Sequence, residues 1–213
     1  HLKAFVNSAI NKSYLTLNDY PFRRYRIKTS VSKHTFLVPE ELEKLEQLVL
    51  PERHVSWAHT LDAFLFCCYT GLRYSDFVNL SEKNIAIIDR KPWLVFNAVK
   101  TGIEVKLPLT FLFEGKAWKL LRKHKGRLKE FFSIKPNSNV NKELIRIGKY
   151  AGIEKHFSFH SARHTNATLL IYKGANITTV QKLLGHRNVT TTQIYSDVMG
   201  STIVKDLKKC SKG

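Results

Sequence analysis

Apolar residues recur every three to four positions in "HLKAFVNSAINKSYL", at Leu2, Phe5, Val6 and Ile10, the spacing of one helix face. No capping residue precedes that first turn, so residues 1–19 read as the last helix of a truncated upstream domain. Residues 20–34 lack periodicity and contain Pro21, which predicts a linker. The main domain is expected from residue 35 to 213. Its first helix opens at "VPEELEKLEQLVL", with Pro39 in the first turn and glutamates behind it that complement the helix dipole. A second, almost wholly apolar helix is predicted from about Val55 to Tyr69, stopping at Gly71 in a left-handed position. With no polar face to offer water, it belongs at the centre of the core.

From Asn84 to Leu109 the period becomes two. "NIAIID", "PWLVFNAV" and "IEVKLPL" read as strands, the last alternating Ile103, Val105, Leu107 and Leu109 with Glu104, Lys106 and Pro108. The short "KTG" between the last two predicts a hairpin with Lys100 at its tip. Helical spacing then returns over Thr110–His124, Asn139–Ala151, His160–Tyr172, Asn176–Leu184 and Thr190–Val198, with Gly174 and Gly185 as stops. The fold class is therefore mixed, mainly α with a small antiparallel β-sheet.

At 213 residues with 43% hydrophobic side chains, the chain can bury one substantial core. It opens on His1 and its one methionine is Met199, so it reads as a piece of a longer protein. No run approaches the roughly twenty apolar residues of a membrane span, and no signal sequence opens the chain, so a cytoplasmic location is expected. Cys67, Cys68 and Cys210 fit neither a disulfide framework nor a zinc site, and the first two read as buried small hydrophobes.

Charge changes the picture more. A formal net charge of +18 points to a polyanionic partner. Residues 20–34 carry five Lys or Arg and no acid, and Lys116–Lys129 carries seven and no acid. No strongly amphipathic basic helix with an aromatic insertion face favours a membrane surface instead.

The candidate chemistry gathers in "FSFHSARHTNATLL". His160 and His164, four apart, could share a metal; His160 and Arg163, three apart, could grip an anion; or all three could be a solvated face. The polar residues Arg73 after Gly71, Lys100 on the hairpin tip and His186 after Gly185 also stand at element ends, where side chains meet ligands.

"TGLRYSDFVNL", "KTGIEVKLPL", "HSARHTNATLLIYKGANITTVQKLLGH" and "TTTQIY" together resemble the catalytic domain of the tyrosine recombinase (phage integrase) family, over about residues 35–200. The first helix then resembles the end of that family's core-binding domain. Any one of these pieces is weak; six matched positions in order are specific. The resemblance implies a site-specific DNA recombinase, as of a mobile element, that cuts and rejoins double-stranded DNA through a covalent 3′-phosphotyrosine. Tyr195 would be the nucleophile, with Arg73 and Arg163 on the non-bridging phosphate oxygens. His160 would accept or relay the tyrosine proton, His186 would donate to the phosphate, and Lys100 would protonate the departing 5′ oxygen, Lys91 and Lys106 being the alternatives. Asp76 would orient Arg73. No cofactor or metal is implied, and the chain has no Gly-rich phosphate loop, H-E-x-x-H or CxxC pattern. The partners implied are duplex DNA and a homotetramer assembled on it through the C-terminal tail "STIVKDLKKCSKG". A type IB topoisomerase-like enzyme and a non-catalytic DNA-binding domain are the alternatives. His164 reads as a packing or hydrogen-bonded residue, and His34, His54, His59, His124 and His156 as structural or surface residues.

Overall fold

The structure, a computed structural model, describes residues 2–23 and 34–195. Most of the basic linker, the predicted helical residues beyond Tyr195, Cys210 and the C-terminal tail lie outside the described residues. The chain divides into two compact units, His1–Lys33 and His34–Gly213.

The first unit holds helix α1 (Leu2–Asn11) and a 3-10 turn over Leu17–Asp19. The Asp19 carboxylate caps that turn, accepting from the Thr16 backbone N–H at 3.0 Å and from its hydroxyl at 2.6 Å. These bonds favour the ionised form and hold the Asp19 pKa below its usual value.

The second unit is helical around one small sheet. Its helices are α2 (Pro39–Glu46), α3 (Val55–Thr70), α4 (Tyr74–Phe77), α5 (Lys116–Lys123), α6 (Leu128–Phe132), α7 (Asn137–Tyr150), α8 (Phe159–Tyr172), α9 (Ile177–Leu184) and α10 (Thr190–Gln193). Strands β1 (Ile85–Ile88), β2 (Lys91–Asn97) and β3 (Glu104–Pro108) form an antiparallel sheet in that order. Leu94 faces Leu107 and Phe96 faces Val105 across β2 and β3. Val105, Leu107 and Leu109 are buried while Glu104 and Lys106 are exposed, as the alternation predicts.

Helix α3 is buried along nearly its whole length, including both Cys67 and Cys68, whose thiol pKa values burial drives up. It packs against α5, α7 and α8. A fully buried cluster of Phe64, Phe66, Phe77, Phe131, Phe132 and Phe159 joins these layers. Its rings meet edge to face, as Phe66 and Phe77 do at 5.9 Å and Phe77 and Phe131 at 5.5 Å. Each such side chain contributes about 1.5–3 kcal/mol of burial, so the cluster fixes where α3 hands over to α4.

Two stretches differ from the sequence expectation. The predicted helix over Thr110–His124 begins as a turn and a 3-10 segment, Leu112–Gly115, and only then becomes α5. Phe113 and Glu114 take left-handed backbone angles, φ 47° and 58°, and the reversal buries both Leu112 and Phe113. Here tertiary packing overrides the helical periodicity. The short α4 and α6 are too brief to carry a periodic signal, and the Phe cluster holds them. Within the basic stretch 116–129, Lys116 pairs with Glu46 at 2.6 Å and Lys123 with Asp62 at 2.7 Å, so part of its charge is matched inside the fold. Among the described residues no helix is long and apolar enough to cross a membrane.

Candidate active site

Four segments meet at the site: the α3–α4 connection, the β2–β3 turn, the start of α8, and the run from the end of α9 to α10. Gly71 ends α3 with φ 72°, and a Cβ there would stand 2.6 Å from Leu184 Cδ2 and 2.8 Å from Asn166 Oδ1. Only a glycine allows both the left-handed turn and this approach of α8 and α9. The chain emerges at Arg73, which caps α4.

Asp76, buried one turn further on, connects two parts of the site. Its Oδ2 lies 3.6 Å from Arg73 Nη1, and its Oδ1 accepts the Val99 backbone N–H at 2.9 Å. One carboxylate therefore ties Arg73 to the turn that carries Lys100. That turn is closed by Ala98 N–H to Ile103 O and Gly102 N–H to Ala98 O, at 2.9 and 2.7 Å. Its other side is held by the loop after α9: the Thr101 hydroxyl donates to Gly185 O at 3.2 Å, and Arg187 Nη2 to Thr101 O at 2.8 Å. Gly185, φ 62°, lies so close to β3 that a Cβ would reach Val105 Cγ2 at 2.8 Å. Lys100 itself is exposed.

Arg163 projects from α8 into the junction and is 3% exposed. Its Nη1 donates to Gly71 O at 2.7 Å and its Nη2 to Leu184 O at 2.6 Å, so the guanidinium closes the carbonyl ends of both α3 and α9. Burial, and next the charge of Arg73, push its pKa down to about 9. His186 is buried, with Nδ1 at 2.9 Å from Thr192 Oγ1. Burial first, then Arg163, Arg73, His160 and Lys100, bring its pKa down to about 3. His160 is exposed, and its pKa is lowered by partial burial and by Arg163, Arg73, His34 and Lys100. Mutual action of this kind falls off steeply with distance, so these groups form one cluster.

Tyr195 is 5% exposed, its ring packed among Ala167, Ile171, Val180 and Leu184. Burial raises its pKa, against the opposing pull of Arg163 and Arg73. The hydroxyl lies 3.0 Å from Nδ1 of His164, and among the described residues no hydrogen bond joins it to His160. His164 was expected only as a packing or hydrogen-bonded residue; its partner was not legible, because nothing in an i,i+4 histidine pair says which residue 31 positions away folds onto it. His34, read as structural or surface, lies with its ring against His164 at 4.5 Å and so stands at the edge of the site. Among the described residues no group of three or more His, Cys, Asp or Glu is arranged to hold a metal ion.

The cluster is strongly cationic. Arg73 is ion-paired to Asp76, whose charge also acts on Arg163, while Lys100 acts on His160 and His186; Arg73 Nη1, 3.6 Å from Asp76 Oδ2, makes no hydrogen bond. Arg73 Nη1 is turned to Asp76, and two guanidiniums that act on each other in one cluster can together receive an anion.

Comparison with known proteins agrees. The model of the phage integrase family matches residues 35–200. Tyrosine recombinase XerC of Rickettsia canadensis (strain McKiel) is 30% identical over 186 residues, covering 77% of this chain and 57% of that protein. Tyrosine recombinase XerA of Saccharolobus solfataricus is 35% identical over 133 residues, covering 61% of this chain and 43% of that protein. The chain thus spans about half the length of these curated relatives. Among solved structures, a lambda integrase (75–356) dimer bound to a COC′ core site superposes with a TM-score of 0.71 at 22% identity, covering 93% of this chain and 71% of that one. XerH site-specific recombinase bound to palindromic difH substrate does so at 0.66 and 22%, covering 94% and 62%. With a family match running through every segment of the site, from the α3–α4 connection to Tyr195, the chain belongs to the phage integrase family of tyrosine recombinases.

Proposed function

We propose that this chain is the catalytic part of a site-specific DNA recombinase of the mobile-element integrase type, which breaks and rejoins duplex DNA through a 3′-phosphotyrosine. The observation that carries this reading is the gathering of two guanidiniums, Arg73 held by Asp76 and Arg163 held by two helix ends, in one cluster with Tyr195.

In this reading the Arg73 and Arg163 guanidiniums take the two non-bridging oxygens of one phosphodiester and offset the charge that builds in its pentavalent transition state. Arg163 keeps hydrogens for this, because each of its terminal nitrogens carries two and gives one to a helix carbonyl. The Tyr195 oxygen attacks phosphorus, its proton passing to the histidine side of the site where His160 serves as acceptor or relay. The bond to the 5′ oxygen breaks and that oxygen takes a proton from Lys100. The resulting phosphotyrosine retains the energy of the broken bond, so a second 5′ hydroxyl reverses the step. His186 donates to the phosphate from Nε2 in the tautomer whose Nδ1 accepts from the Thr192 hydroxyl. Asp76 keeps Arg73 and the Lys100 turn in register.

Residues 1–19 would end a core-binding domain, residues 20–34 would run along DNA as a basic linker, and assembly would be a homotetramer on DNA joined by the C-terminal tail. Such a protein works where DNA is, in the cytoplasm.

The test is direct. Incubated with a pool of nicked duplexes of random sequence, the chain is expected to form an SDS-resistant adduct whose DNA-linked peptide contains Tyr195. Tyr195→Phe keeps the ring and loses the nucleophile, so it should form none. An adduct that persists in that variant overturns the assignment.

A further inference from the structure

We propose that His164 is the residue that holds the nucleophile, accepting a hydrogen bond at Nδ1 from the Tyr195 hydroxyl and so setting where the attacking oxygen sits before DNA is cut. This rests on the recombinase reading for its consequence, though not for the bond itself.

The geometry leaves the hydroxyl little choice. The Tyr195 ring is gripped by Ala167, Ile171, Val180 and Leu184, all apolar and all on α8 and α9, which fixes the body of the side chain and leaves only its polar tip to be placed. That tip is buried, and a buried hydroxyl without a partner costs about 1–3 kcal/mol. Nδ1 of His164, at 3.0 Å, meets that need. The imidazole is itself held: the His34 ring lies against it, tilted by 32° at 4.5 Å, and His160 stands edge-on to it at 4.6 Å. His164 is 7% exposed, and burial, followed by the nearby His160, His34, Arg163 and His186, lowers its pKa to about 3. It is therefore neutral at physiological pH, with one ring nitrogen free to accept. A phenol donates more readily than it accepts, so the O–H points to Nδ1 and the imidazole proton stays on Nε2.

The consequence is pre-organisation. A tyrosine oxygen held on the α8 side lies where the charges of Arg163 and Arg73 act on it, so the attacking atom and the phosphate-binding groups are arranged before substrate arrives. Misplacing an attacking group by about 1 Å typically costs about a hundredfold in rate. His160, exposed and without a bond to the hydroxyl, remains free for the proton-relay role, so the two histidines four apart on α8 do different work.

The experiment separates the ring nitrogens. In His164→Asn the side-chain oxygen stands as many bonds from Cα as Nδ1 does and can accept the hydroxyl. In His164→Gln the amide is one bond further out, in the place of Nε2. His164→Leu offers no acceptor. Rates of adduct formation on the nicked duplexes should stay within about tenfold of wild type for His164→Asn and fall about a hundredfold for His164→Gln and His164→Leu. A merely structural role would let Gln, also an amide, do as well as Asn, and equal rates for the two overturn the proposal. A second readout needs no DNA: with 15N-labelled histidine, the Nδ1 resonance of His164 should move when Tyr195 is changed to Phe, and an unmoved resonance also overturns it. If the wild-type chain forms no adduct while that resonance moves, the bond stands and the recombinase reading falls.

Discussion

The two sides of the site are built to opposite specifications. On the helical side, Arg163 and Tyr195 are almost fully buried, and two nitrogens of the arginine are bonded to the carbonyl ends of α3 and α9. On the sheet side, Lys100 stands exposed on a four-residue turn held only at its flanks, by Asp76 through Val99 and by Gly185 and Arg187 through Thr101. The difference fits the tasks proposed for the two sides. Charge that builds on non-bridging oxygens stays in place and is best met by fixed donors, whereas a proton must be delivered to an oxygen that is moving away. In the proposed reading the buried side combines structure with chemistry, while Lys100 on its turn is kept for chemistry.

That contrast is easiest to break at Lys100. Lys100→Ala should slow cleavage by about a hundred- to ten-thousandfold, with unfolding in denaturant unchanged to within about 0.5 kcal/mol. Replacing the bridging 5′ oxygen by sulfur, whose thiolate leaves without a proton, should restore much of the rate. A variant that stays slow on the sulfur substrate shows that Lys100 is not the acid, and Lys91 and Lys106 come next.

Arg163→Ala should behave in the reverse way. Two buried carbonyls lose a charged donor, so stability should fall by about 2–4 kcal/mol in denaturant titrations, with no rescue of cleavage by sulfur. An Arg163→Ala chain as stable as wild type would show that the arginine serves the phosphate only.

A third effect is in pH. His164 and His186, both with pKa values near 3 in the folded chain, have ordinary values near 6.5 once unfolded. Between those limits the unfolded chain binds protons that the folded chain refuses. Stability is therefore undiminished by these groups above about pH 6.5. It should fall by up to about 1.4 kcal/mol per pH unit for each histidine as the pH drops toward 3. The slope should shrink in His164→Asn, measured by denaturant unfolding at pH 5 and 7; an unchanged slope would mean that His164 is not held neutral.

Much of this was legible in order along the chain. The alternation of Val105, Leu107 and Leu109 located β3, the apolar run ending at Gly71 located α3, and the spaced motifs carried Arg73, Lys100, His160, Arg163, His186 and Tyr195 by resemblance. These signals are local, since periodicity, turn residues and motif spacing are set by a residue and its near neighbours. What packing alone decided is non-local. Phe113 and Glu114 reverse the backbone inside a stretch with helical spacing, and Leu112 and Phe113 are buried there. Asp62 matches Lys123 inside a run that looked like free positive charge. Arg163 closes two helices whose ends lie far away in sequence, and the Tyr195 hydroxyl meets His164, not His160. Two histidines four apart share a helix face; which of them receives the tyrosine depends on how α9 and the chain after it fold back onto α8, and only the tertiary structure determines that.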